Sequence, residues 1–281
     1  MNDLDATTAG YGELAGPGAN DGKGWEPIGD LRRPFRGSLD GQGYEISGLH
    51  IDRPRDDHVG LLGIVGEEGR IRNVRLMGAD INGRDVVGGL AGANHGGVFN
   101  SCSVASVGGV SYVGGLIGSN RGTVSGSYSG GNITGILQFA GGLVARNRGE
   151  VFDCYSTARV SADGAVGGLV GQNTDGALSN AYATGDVSGH SATGGLVGHH
   201  MGAVSGSFWD TQASRTEQSA GGTGKTTAEM MDITTFADTA TEGLDEPWDI
   251  VAVDPRTRGE AYTWNIVDGE TYPFLSWEPI Y

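Results

Sequence analysis

The sequence predicts an all-β chain, a right-handed parallel β-helix of about seven coils closed by a C-terminal cap. Three observations predict it. A glycine-laden heptapeptide, "GGLVGQN" at residues 167–173, returns as "GGLAGAN", "GGLIGSN", "GGLVARN" and "GGLVGHH". Glycine supplies 53 of 281 residues without any collagen-like G-X-Y period. Residues 58–208 carry no 3.6-residue apolar stripe, and two or three glycines per unit would each cost a helix about 1 kcal/mol.

The period follows from the leucine of each heptapeptide. The anchors are Leu90, Leu116, Leu143, Leu169 and Leu196, preceded by Leu61 in the degenerate copy "VGLLGIVG". The intervals are 29, 26, 27, 26 and 27 residues. A repeat of 20 to 50 residues marks a solenoid, in which one unit cannot bury its apolar face alone.

Taken in order, residues 1–24 are poor in apolar groups and read as a loose segment or a truncated coil. Residues 25–51 carry Phe35, Leu39, Tyr44, Ile46, Leu49 and Ile51 around a "DGQG" turn, which reads as the first complete coil. The repeats follow, with residues 25–208 forming the solenoid. Alternation in "GALSNAYATG" places Leu178, Asn180, Tyr182 and Thr184 on one face and Ala181 and Ala183 on the other.

Two columns stand out when the units are aligned. Four residues after the anchors lie Asn94, Asn120, Asn147, Asn173 and His200, each followed closely by a glycine. Asparagine tolerates left-handed turns, and amides stacked one strand spacing apart, ~4.8 Å, can bond to one another as a ladder. The alternative is a ligand-binding row of amides. The second column runs Cys102, Tyr128, Tyr155, Tyr182 and Phe208. Packed, it is an aromatic stack; exposed, it is a platform for sugar rings. Cys154 lies one position before this column and two coils beyond Cys102, so the two Cα atoms stand at least ~9 Å apart, outside disulfide reach. Two free thiols are expected, at least one buried.

Residues 209–281 change character. They hold four of the five tryptophans, Trp209, Trp248, Trp264 and Trp277. Thr226-Thr227-Ala228-Glu229 reads as a capping box opening one helix over 227–236. "WDIVAV", "YTWNIV" and "YPFLSW" read as strands. A mixed segment of this kind is expected to close the open end of the solenoid and hide its edge.

Several motifs invite a catalytic reading. "SAGGTGKTT" has Ser219 where a phosphate-binding GxxxxGK[ST] loop needs glycine, and no buried strand precedes it. The six histidines include no HExxH pair, and His199 and His200 are adjacent, pointing to opposite faces of a strand. A glycosidase needs two acids on one face about 5 to 9.5 Å apart, whereas Asp153, Asp163, Asp175 and Asp186 fall in different columns. "DRPRDDH" at 52–58 mixes charge signs and reads as a solvated corner. No cofactor is expected; acidic turns leave weak calcium binding open.

The net charge of −16 disfavours nucleic acid and anionic membranes as partners. No stretch reaches the ~18 apolar residues of a membrane span, so direct membrane insertion is not expected. The opening "MNDLDATTAGYGEL" is polar and acidic, unlike an export signal. Only Lys23 and Lys225 are lysines among 18 basic residues. That balance fits either a salt-loving source or a codon bias toward arginine.

With these residues in view, "VGGLIGSN", "VGGLVGQN" and "TGGLVGHH" resemble the GLUG motif, a repeat with a Gly-Leu-small-Gly core. "GWEPIGD…PFRGSLDGQGYEISGL" resembles the coil that precedes such repeats, and "SFWDTQAS…SAGGTGKTTAEM…TWNIVDGETYPFLSWE" the segment that follows them. The departures are Ala145 for glycine and His200 for asparagine. The resemblance implies a secreted or surface-anchored protein of the filamentous-haemagglutinin-like adhesin type, possessing no established catalytic residues in the repeats. Such repeats also flank the catalytic domain of some immunoglobulin-cleaving zinc proteases, whose zinc motif this chain lacks. The expected function is a non-enzymatic, extracellular or cell-surface module presenting a repeat face to a surface glycan or protein. A polysaccharide hydrolase or lyase on the same fold and a pure spacer are the alternatives.

Overall fold

A computed structural model describes residues 3–279. It is a parallel β-solenoid of about six regular turns, and every helix in it has five residues or fewer. Two 11-stranded sheets and one five-stranded sheet run the length of the stack. The first holds the strands that follow each anchor, such as Ile117–Asn120 and Val144–Asn147, joined in the later turns to those bearing the valine column. The second holds the tyrosine column, and the third the short strands that precede each glycine pair. Residues 25–52 add a turn whose first part is held by the isolated bridges Ile28–Leu62 and Phe35–Val65 and whose strands Ser38–Asp40, Glu45–Ser47 and His50–Asp52 pair in register with the next turn.

The register stacks like on like. Ile117 pairs with Ala91 on one side and Val144 on the other; Val124 pairs with Val98 and Val151. These residues and all six anchor leucines are buried in one continuous core. The glycine pair ahead of each anchor has a steric cause. A Cβ on Gly142 would stand 2.0 Å from the carbonyl oxygen of Gly168 in the next turn, and one on Gly141 would stand 2.0 Å from that of Val144. The repeat therefore needs glycine for close approach of backbone to backbone.

Residues 3–24 pack across the N-terminal end. Leu4 pairs with Ile46, Ala15 enters the core, and the Tyr11 hydroxyl donates to the Ser47 carbonyl at 2.9 Å. At the other end, Trp209 and residues 216–220 cover the last turn. Gly195 N–H donates to the Gln218 carbonyl at 2.8 Å, and the Ser219 hydroxyl accepts from Val197 N–H at 2.9 Å. The residue that breaks the phosphate-loop pattern is thus an end seal.

Three sequence expectations are corrected. Leu178 and Tyr182 do not share a face: Leu178 points into the solenoid core and Tyr182 into a second, outer cluster. Asn180 between them sits at φ 48°, a left-handed residue that turns the chain and resets the alternation. The single helix expected over 227–236 is two short turns, Thr227–Met230 and Thr234–Ala237. Asp232 ends the first by accepting from the Thr234 N–H and hydroxyl at 2.8 and 2.7 Å, the local bonding that competes with helix. Finally, the C-terminal segment does more than close an end. Beyond Lys225 it turns back along the side of the solenoid and builds its own three-stranded sheet from Ile250–Ala252, Trp264–Ile266 and Phe274–Leu275.

Candidate functional site: the tyrosine row and its clasp

The repeats place two chemically distinctive columns, and each has partners within the chain. Asn94, Asn120, Asn147 and Asn173 are fully buried. Asn94 Nδ2 donates to Asn120 Oδ1 at 2.9 Å, Asn120 to Asn147 at 2.9 Å, and Asn147 to Asn173 at 3.0 Å. The same amides bond to backbone carbonyls of the next turn, including those of Glu150 and Ala177. His200 stands outside this chain of amides: Asn173 donates to the Ala203 and Gly176 carbonyls, and His200 Nδ1 accepts from Gly202 N–H at 3.4 Å. An imidazole cannot present both an amide donor and an amide oxygen at the required spacing.

The tyrosines form a stack on the outside of the coil. Tyr128 and Tyr155 lie 4.8 Å apart between centroids with an interplanar angle of 11°; Tyr155 and Tyr182 lie 5.0 Å apart at 2°. Phe208 continues the column, and Cys102 begins it by pairing in register with Tyr128. The C-terminal segment covers this row as a clasp. Tyr155 and Tyr182 are only 7% and 1% exposed, packed with Phe236, Trp248, Trp264, Ile266 and Leu275.

Four polar contacts fasten the clasp besides those made by the Tyr155 and Tyr182 hydroxyls to Glu278 and to the Pro273 carbonyl. Three indole N–H groups donate to one corner of three different turns: Trp248 to the Gly206 carbonyl at 2.9 Å, Trp264 to Asp153 Oδ1 at 3.3 Å, and Trp277 to the Gly126 carbonyl at 2.8 Å. The fourth is Asp210. This buried carboxylate caps Gln212 and Ala213 N–H and accepts from the hydroxyls of Thr227 and Tyr272, the latter at 2.6 Å. Burial, then this carboxylate, pushes the Tyr272 hydroxyl up to about 12.

The corner itself is a column that the sequence reading missed. Asn73, Asn100, Gly126, Asp153, Asn180 and Gly206 all have φ between 46° and 55°. Each lies two residues after the valine column, and only residue types that tolerate the left-handed region occupy it. A second missed column is Ser101, Ser127, Cys154 and Ser207, beneath the corner. Ser127 Oγ accepts from Ser101 N–H at 3.2 Å and donates to the Ser125 carbonyl at 2.8 Å. Cys154 takes the same place, its Sγ 3.1 Å from the Phe152 carbonyl. Both cysteines are free and buried. Burial pushes the Cys102 thiol up to about 11 and Cys154 higher still.

The clasp traps one further ionisable group. Glu278 Oε2 accepts from the Tyr155 hydroxyl at 2.9 Å and Oε1 from Leu275 N–H at 2.7 Å. Burial raises its carboxyl above the usual range, and burial likewise raises Tyr155 and Tyr182. The acidic corner at 52–58 is engaged otherwise: Asp57 pairs with Arg84 of the next turn, 2.7 Å from its Nε, and Arg53 with Asp56 at 3.4 Å. Among the described residues, no three His, Cys, Asp or Glu side chains gather closely enough to hold a metal ion, and no helix is long and apolar enough to cross a membrane.

This geometry defines a class: a parallel β-solenoid repeat protein whose outer aromatic row is sealed by its own C-terminal segment. Residues 162–188 match the family model of the GLUG motif, and the Gly-Gly-Leu pattern of that segment recurs in the other turns. The chain is 39% identical over 103 residues to a "Putative Gly-rich membrane protein" of Evansella cellulosilytica, covering 36% of this chain and 11% of that one. It is 42% identical over 88 residues to the halomucin of Haloquadratum walsbyi, covering 29% of this chain and 1% of that one. The chain thus spans a small fraction of the length of these relatives. A crystal structure of a "putative immunoglobulin A1 protease" from Bacteroides ovatus shares the fold at TM-score 0.66 and 20% identity, covering 93% of this chain and 83% of that one.

Proposed function

We propose that the chain is a non-enzymatic module of a larger cell-surface protein, a rigid stalk whose uncovered faces meet glycans or proteins outside the cell. The observation that carries this reading is the sealing of the tyrosine row. The tyrosine row, which exposed would offer a platform to a sugar chain, is closed off by Trp248, Trp264 and Trp277, and the asparagine column is bonded to itself. Both repeat columns stiffen the rod. The relatives named as a membrane protein and a halomucin support a surface setting. The fold likeness to a protein described as a protease bears on architecture alone.

The experiment is incubation with a panel of surface polysaccharides in high salt, assaying new reducing or unsaturated chain ends alongside retention on the polymer. The reading expects no new ends. Turnover of any polymer, lost on substitution of a specific acidic residue, would overturn it in favour of a polysaccharide-active enzyme.

A further inference from the structure

One strip of the outer surface departs from the rest of this acidic molecule. Tyr112 and Phe139 occupy equivalent positions of consecutive turns, immediately before the paired Val113 and Ala140. Their rings stack with centroids 5.8 Å apart at 29°, and both are partly buried. The Arg146 guanidinium lies over the Tyr112 ring at 4.5 Å, and His199 lies 6.3 Å from Phe139. Arg121 and Arg148 stand exposed beside it, each one residue after a ladder asparagine.

Three features separate this strip from an ordinary solvated face. First, Arg121, Arg146 and Arg148 are clustered with no ion pair among the described residues, although the chain carries 34 acids and 18 bases. Like charges are thus held together where acids are plentiful: Arg121 and Arg148 both act electrostatically on Arg146. Second, the local hydrogen bonding is open. Arg146 Nε and Thr174 Oγ1, one turn beyond Arg148, are buried without a partner, unlike the closed asparagine ladder. Third, Tyr112 is held at φ 54° and Val86, its equivalent one turn earlier, at φ 60°. Side chains other than glycine, asparagine and aspartate rarely adopt this conformation, and such strain gathers at binding sites.

We infer that the Tyr112–Phe139–Arg146 strip binds a carboxylated polysaccharide, with pyranose rings stacked on the two aromatic rings and a uronate carboxylate held by Arg146, Arg121 and Arg148. A planar guanidinium matches a carboxylate in a fork, and flat aromatic faces suit the apolar face of a sugar ring. The strip is narrow and follows the solenoid axis, which fits a linear repeating ligand; a globular protein partner needs a broad patch of about 800 Å² per side. The inference rests on the surface-module reading for its setting and adds the ligand class and the residues.

The test uses the whole chain on polygalacturonate, with dextran sulfate and neutral dextran as comparison polymers, across a salt series. The expected result is retention on polygalacturonate above both others, weakened at least tenfold by Arg146→Ala and by Tyr112→Ala, kept by Tyr112→Phe, and unchanged by Arg159→Ala on a different sheet. Melting temperatures of the variants separate lost binding from lost folding. Equal retention of wild type and Arg146→Ala, preference for the sulfated or neutral polymer, or no retention on any polymer would each overturn the inference while leaving the surface-module reading standing. Retention accompanied by new chain ends would keep the binding strip and overturn the non-enzymatic reading instead.

Discussion

At the residue scale, buried polar groups are tolerable here because each is answered one turn away. Asn120 both accepts from Asn94 and donates to Asn147. Asn120→Ala removes one bond each from Asn94 Nδ2 and Asn147 Oδ1, which keep the Thr123 carbonyl and the Gly149 N–H, and takes the side-chain donor from the Gly122 and Glu150 carbonyls, at about 0.5 to 1.5 kcal/mol for each lost bond. A loss of about 3 kcal/mol in urea unfolding is expected; a change below 1 kcal/mol would show that the ladder is incidental to stability. Glu278 gives the pH dependence. Its folded pKa is raised by burial, so its contribution is fully present below the unfolded value of ~4.3 and lost as pH rises through the raised folded value. Glu278→Gln cannot ionise, so wild type is expected to weaken relative to the variant between pH 4 and pH 7. A stability difference constant over that range would contradict the burial of the carboxylate. The ladder was legible in the sequence because its residue type and spacing repeat. The left-handed corner was equally periodic, but its occupants, Asn73, Asn100, Gly126, Asp153, Asn180 and Gly206, differ in type and share only a tolerance of positive φ. What unites them is backbone geometry, which a search for one recurring side chain passes over.

At the element scale, the strands were legible and the clasp was not. Valine, leucine and glycine positions fix the strands within one turn, so local pattern suffices. The clasp depends on indoles meeting corners 42 to 151 residues away in the chain, and no local pattern encodes that. It also decides between the packed and the exposed reading of the tyrosines, since one column looks the same in sequence whether covered or open. Trp264 is the clasp's centre, fully buried between the tyrosine row and Trp248. Trp264→Ala is expected to cost about 3 to 5 kcal/mol, to free residues 226–279 for limited proteolysis, and to leave the solenoid core folded. Simultaneous loss of all strand signal would show that clasp and solenoid are one cooperative unit.

At the scale of the whole molecule, shape and charge dominate. A parallel stack with like residues in register is stiff along its axis, and both ends and one side are covered by chain segments that do not repeat. The remaining surface carries the net charge of −16. Self-repulsion of that size weakens as salt shortens the Debye length from ~30 Å at 0.01 M to ~3 Å at 1 M. The melting temperature is therefore expected to rise from low to molar salt; a flat response would mean that repulsion contributes little. The central claim is that the repeat columns are structural and the tyrosine row is closed. Tyrosine nitration of the folded protein, read residue by residue by mass spectrometry, tests it most directly. Tyr44 and Tyr262, 37% and 42% exposed, are expected to react while Tyr155 and Tyr182 are spared. Modification of Tyr155 and Tyr182 at the rate of Tyr262 would show that the row is open to ligands and contradict the account.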